Sequence, residues 1–134
     1  MCLFTNDVTV HVADEDIHTF KRCIPTFRSW ADVVSEVYDY HYFLGQLNEI
    51  SGKNWPYTEG CEAKIDDQTY HHFLNYGFHS WTENPGLLRP NRVEMYDCII
   101  PRGARYLLGV DHVGRQCYAS DKLILVKRSA LENF

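Results

Sequence analysis

Three short segments carry the residue types that do chemistry. Gly77-Phe78-His79-Ser80 sets an imidazole beside a hydroxyl. Arg102-Gly103-Ala104-Arg105-Tyr106 sets two guanidinium groups around a glycine. Tyr118-Ala119-Ser120-Asp121 gathers a phenol, a hydroxyl and a carboxylate. Arginine grips phosphate through paired N–H donors, and Gly103 lets the backbone approach a ligand closely. Tyr106 and Tyr118 offer ring faces on which a base can stack. Asp121 with Ser120 could hold a ribose hydroxyl, His79 could donate to a phosphate or ribose, and Lys21 adds a cation on an earlier segment. These nine residues form the candidate ligand-binding set. Each has a plainer alternative: a histidine bonded to backbone, arginines solvated at a turn, tyrosines in the core, Ser120-Asp121 opening a strand, Lys21 guarding a sheet edge. His79 and Ser80 are adjacent, so on a strand they point to opposite faces and do not pair as base and nucleophile. No catalytic residue is assigned.

The elements that must position these groups are mostly short strands. Val8 to Ala13 alternates, with Val8, Val10 and Val12 on one side. Ile17 to Ile24 alternates as well, setting Ile17, Thr19, Lys21 and Cys23 against His18, Phe20, Arg22 and Ile24, and stops at Pro25. From Ser29 the pattern is mixed. Ser29 with Asp32, and Trp30, Val33, Val34 and Val37, have helical spacing, whereas Tyr38, Tyr40 and Tyr42 alternate. Ser51 to Gly60 reads as loop. A helix is expected from Asp66 or Asp67, carrying Tyr70, Phe73 and Leu74 on one face and ending at Gly77. Phe78 to Thr82, Arg92 to Ile100, Arg105 to Val110 and Lys122 to Lys127 read as strands, with a turn or hairpin at Asp111 to Gln116. The expectation is one α+β domain over residues 1–134, compact, of mainly short antiparallel strands with one or two helices.

Composition narrows the function. The chain has 134 residues and a net charge of −5, with 45% hydrophobic, 23% charged and 14% aromatic residues, including nine Tyr. That suits a single globular domain able to bury roughly two thirds of its unfolded surface. No run of Lys and Arg exceeds two residues, which argues against a nucleic-acid polymer as partner. No apolar stretch is long enough to span a membrane and no secretory leader is evident, so a cytoplasmic location is expected. Five cysteines without a CxxC spacing read as free thiols. His71 and His72 diverge on either a helix or a strand, and no HExxH occurs, so neither a metal nor a cofactor is expected.

The segments MCLF, ADEDIHTFKRC, GFHSW, CIIPRGARYLLG and CYASDKLIL occur in that order. Together they resemble a family of small proteins from phages, prophages and gut bacteria that has no established function. The likeness covers most of the chain outside residues 25–75 and implies a mobile-element origin. At the level of fold, the succession of elements is also similar to ADP-ribosyltransferase domains. That likeness implies Lys21 near the first catalytic position, His79 and Ser80 at the second and Asp121 near the third. The transferase pattern has Arg or His, Ser-Thr-Ser and Glu-x-Glu there. This chain has Lys21, no Ser-Thr-Ser, and Ala119-Ser120-Asp121-Lys122. The resemblance therefore implies a degenerate transferase-like fold that binds without reacting.

Three functions follow as expectations. The first is a phage-type accessory protein that sequesters a nucleotide-derived small molecule and counteracts host defence signalling, with a homo-oligomer as one way to complete the pocket. The second is an ADP-ribosyltransferase-like enzyme using NAD. The third is an inhibitor that meets a host protein through the tyrosine-rich segment at 37–43.

Overall fold

Alternation of apolar and polar residues dominates this chain. In the computed structural model, which describes residues 3–26, 31–35, 40–50, 55–86 and 93–129, it resolves into strands. They are β1 (Leu3–Thr5), β2 (His11–Val12), β3 (Ile17–Pro25), β4 (Val33–Ser35), β5 (His41–Tyr42), β6 (Leu47–Glu49) and β7 (Glu59–Ile65). The second half adds β8 (Gln68–Leu74), β9 (Phe78–Trp81), β10 (Glu94–Ile100), β11 (Arg105–Val110), β12 (Gln116–Ser120) and β13 (Lys122–Arg128). All join one 13-stranded sheet in the order β6-β13-β10-β3-β9-β12-β11-β1-β8-β7, with β2 on β11, and β4 joining β3 and β5. Every pairing is antiparallel.

The α+β expectation is therefore overturned: the described residues are all-β and hold no helix. The helix expected from Asp66 or Asp67 to Gly77 is the β7–β8 hairpin instead. Asp66 and Asp67 have φ of 48° and 64°, and left-handed backbone at both central positions is what a tight hairpin turn needs. Thr69, Tyr70 and Phe73 then favour the pleated surface. Gly77 has φ 119°, but its role is different from ending a helix. A Cβ there would collide with the Trp55 indole. Of the mixed segment, Ser29, Trp30, Val37 and Tyr38 lie outside the described residues, while Val33 and Val34 stand in β4, not in a helical turn. Between Val8 and Ala13 only His11–Val12 is strand. Val8, Val10 and Val12 are exposed, and Ala13 is the buried residue. The strands expected at 78–82, 92–100, 105–110 and 122–127 appear as β9, β10, β11 and β13, and residues 111–115 turn β11 into β12.

The central strands are covered on both sides. Phe78, Tyr96, Cys98 and Ile100 join one buried cluster with Tyr42, Leu123 and Leu125. Trp81 and Met95, from β9 and β10 again, join a second with Leu3, Trp55, Leu74 and Leu107. Burial on both faces explains why these strands read as apolar runs. Cys23, Cys98 and Cys117 are buried free thiols. Among the described residues no helix is long and apolar enough to cross a membrane.

Candidate functional site

Strand register sorts the nine candidate residues. Residues directly opposite in an antiparallel ladder share a face, and neighbours along a strand alternate. Tyr118 lies opposite Ser80, Ser120 opposite both Phe78 and Tyr106, and Tyr106 opposite His11. Phe20 lies opposite Trp81, which puts Lys21 one step on, on the side of Ser80. Lys21, Ser80, Tyr106, Tyr118 and Ser120 thus share one face, here the lysine face. His79 lies opposite Ala119, and Ala119 opposite Leu107. Arg105, two residues before Leu107, and Asp121, two after Ala119, belong with His79 on the other, the histidine face. Arg102 joins neither group. It is exposed in the turn between β10 and β11, where its backbone N–H donates to Asp16 Oδ1 at 2.9 Å.

On the histidine face nearly every polar group is answered by another. His79 is 3% exposed, and its Nε2 lies 3.1 Å from the Leu74 carbonyl, tying together the turn between β8 and β9. Burial first, and the Lys21 charge second, push its pKa down to about 3, so the ring is neutral near pH 7. The Asp121 carboxylate accepts from the Arg105 backbone N–H at 2.8 Å and from its Nε at 3.1 Å. The Arg105 guanidinium lies 5.4 Å from the Trp55 ring centre. Sequence reasoning missed a third group. Asp111 is fully buried and accepts from Trp81 Nε1 (2.9 Å), Val113 N (3.0 Å), Arg115 N (2.9 Å) and Arg115 Nε (2.8 Å). Burial alone would raise its pKa, but these four donors outweigh it and hold the carboxyl below its ordinary value. The signal was present: an aspartate opening Asp111-His112-Val113-Gly114-Arg115, four residues before an arginine. One exception on this face is the Trp55 indole N–H, which is buried with no hydrogen-bond partner among the described residues.

The lysine face is built differently. Lys21 is no edge charge, being 8% exposed. The outer side of β3 is shared between β9, at Phe20, and β4, at Cys23–Pro25. Between them the Lys21 Nζ reaches across and donates to the His79 carbonyl at 2.8 Å. An ammonium has three donors, and no ion pair involving Lys21 occurs among the described residues. Ser80 and Thr19 are fully buried, and among the described residues neither hydroxyl has a hydrogen-bond partner. Thr19 lies two residues before Lys21 and opposite Cys98, hence on the same face. Its alternation with Lys21 is visible in sequence, but a lone threonine on a strand carries no chemical signal there. Beside this floor stand Tyr106 and Tyr118, half-buried and edge to face at 5.3 Å, with His11 stacked on Tyr106 at 5.3 Å. Burial, with Tyr106 next to it, raises the Tyr118 pKa, so the phenol stays neutral. Ser120 Oγ lies 3.4 Å from the Phe78 carbonyl, and the Tyr40 ring meets Phe78 edge-on at 5.3 Å.

The lysine face thus holds an ammonium and two hydroxyls that have no hydrogen-bond partner among the described residues, on the side of the sheet that carries Phe78, Tyr96 and Cys98. The three positions implied by the transferase likeness are divided. Lys21 and Ser80 share a face, while Asp121 is held by Arg105 on the other. No protein-family model matches the chain, and no curated protein and no solved structure matches it either.

Proposed function

We propose that the protein binds a small anionic molecule with an aromatic ring, of nucleotide-derived type, on the lysine face and releases it unchanged. One observation carries this reading: among the described residues, Ser80 Oγ and Thr19 Oγ1 are buried without a partner on the face that also holds the Lys21 ammonium. A buried hydroxyl without a hydrogen bond costs about 1–3 kcal/mol, and an anionic oxygen placed among these groups would remove that cost. A ring stacked on Tyr106 or Tyr118 would add about 1–3 kcal/mol. Binding is favoured over reaction because His79, next to Ser80 in sequence, turns its ring to the opposite face. In the mobile-element setting that the motif resemblance suggests, such a binder would sequester a nucleotide-derived signal of host defence.

Native mass spectrometry of freshly purified protein, followed by denaturing extraction, tests this. The expected result is a retained molecule of nucleotide mass, recovered intact, and absent from the Lys21→Met variant. A ligand-free mass, with no uptake from a panel of mono-, di- and cyclic nucleotides, would remove the proposal.

A further inference from the structure

We infer that the outer edge of the segment Val8–Ala13, around β2, takes an extended basic peptide as an added strand. This surface adjoins the lysine face where His11 stacks on Tyr106, but its open edge lies beyond β2, away from Lys21, Ser80 and Thr19. The inner edge of β2 is occupied. Val12 lies opposite Arg105 and His11 opposite Tyr106, and the contact continues as Ala13 N donates to Ala104 O at 2.9 Å and Gly103 N to Ala13 O at 2.7 Å. The outer edge pairs with no strand among the described residues. In an antiparallel ladder alternate residues direct their N–H and C=O groups to one edge. With Ala13 turned to the inner edge, Val12 presents its backbone to the outer one.

The side chains here are those a strand partner would cover. Val8, Val10 and Val12 are 46%, 38% and 59% exposed, and no lysine or proline guards them, although protected edges commonly carry one or the other. The sheet's terminal strand β7 shows the contrast, with exposed Glu59, Glu62 and Lys64 and a register shift between Gly60 and Ala63.

Charge selects the occupant. Exposed Asp7 precedes the valines and exposed Asp14, Glu15 and Asp16 follow them. Arg102 and Arg105 are the neighbouring cations, and Asp121 already binds Arg105. A second copy of the chain pairing antiparallel about His11 would set Asp7 of each copy opposite Glu15 of the other, and like charges facing across strands destabilise a pair. A partner strand with apolar residues at alternate positions and Lys or Arg at both ends meets the valines and the carboxylates together.

The probe is an acetylated heptapeptide of alternating valine and threonine with a lysine at each end, titrated into the ¹⁵N-labelled protein. Backbone amides of residues 8–13 should shift saturably. Glutamates in place of the lysines, or the Val10→Lys variant, should weaken binding by roughly tenfold or more, as should raising salt from about 50 to about 500 mM. Lys21→Met should leave peptide binding unchanged, which separates this surface from the lysine face. Absence of shifts at residues 8–13, equal binding of the glutamate peptide, or a dimer in sedimentation that protects this edge would each overturn the inference.

Discussion

The two faces of the sheet around β9 and β12 are built from the same two strands but solve different problems. On the histidine face the buried carboxylates are matched. Asp121 is engaged by Arg105, Asp111 by Trp81, Val113 and Arg115, and His79 by the Leu74 carbonyl. On the lysine face, among the described residues, an ammonium lies without a carboxylate and two hydroxyls are buried without partners. A region whose polar groups answer one another is holding the fold. A region that leaves donors unused at a cost in stability is where the proposed ligand would enter. The residues that looked most chemical in sequence, His79 and the arginine pair, fall largely into the first kind.

The contrast can be broken from either side. The largest effect is expected at Asp111. Replacing it with Ala leaves the Trp81 N–H and the Arg115 guanidinium without their acceptor inside the protein, and should cost about 3–5 kcal/mol in urea unfolding. A cost near zero would remove the claim that this network holds the fold. His79 comes next. Its pKa is about 3 in the folded chain against 6.5 unfolded, so below pH 6.5 the unfolded state binds the extra proton. Stability is complete above that value and falls with acidification by up to ~1.4 kcal/mol per pH unit. The slope between about pH 6.5 and pH 5, above most carboxylate titration, should flatten in His79→Gln. An unchanged slope would show that His79 is not the group responsible.

The lysine face gives smaller and opposite effects. Lys21→Met should weaken nucleotide binding by at least ~tenfold while changing stability little, since losing the hydrogen bond to the His79 carbonyl is offset by removing the desolvation cost of a buried ammonium. Calorimetric titration and urea unfolding of the same sample check both halves. Ser80→Ala should stabilise the chain by about 1 kcal/mol, because it removes a buried hydroxyl that nothing satisfies, and should weaken the ligand. A loss of stability instead would mean that Ser80 is structural after all.

Much of the strand pattern was legible. Cys98-Ile99-Ile100 and Leu123-Ile124-Leu125 read as apolar strands and stand in β10 and β13. The failures have physical causes. Tyr70, Phe73 and Leu74 fit a helical stripe, and only the turn chemistry of Asp66-Asp67 decides for a hairpin. The valines at 8, 10 and 12 alternate correctly but face solvent, because alternation shows that two sides differ and not which one is covered. The candidate site was legible in its members and not in its grouping. Ser80 was separable from His79 by alternation alone, whereas the partnership of Lys21 with the His79 carbonyl needed the register between β3 and β9.

The most direct test of the central claim is a nucleotide titration of protein carrying ¹³C-labelled tyrosine and ¹⁵N-labelled histidine rings, followed by NMR. Saturable shifts of the Tyr106 and Tyr118 rings, with the His79 ring unmoved, are the predicted result. Shifts confined to His79 and its neighbours, or tyrosine rings that stay fixed at millimolar nucleotide, would contradict it.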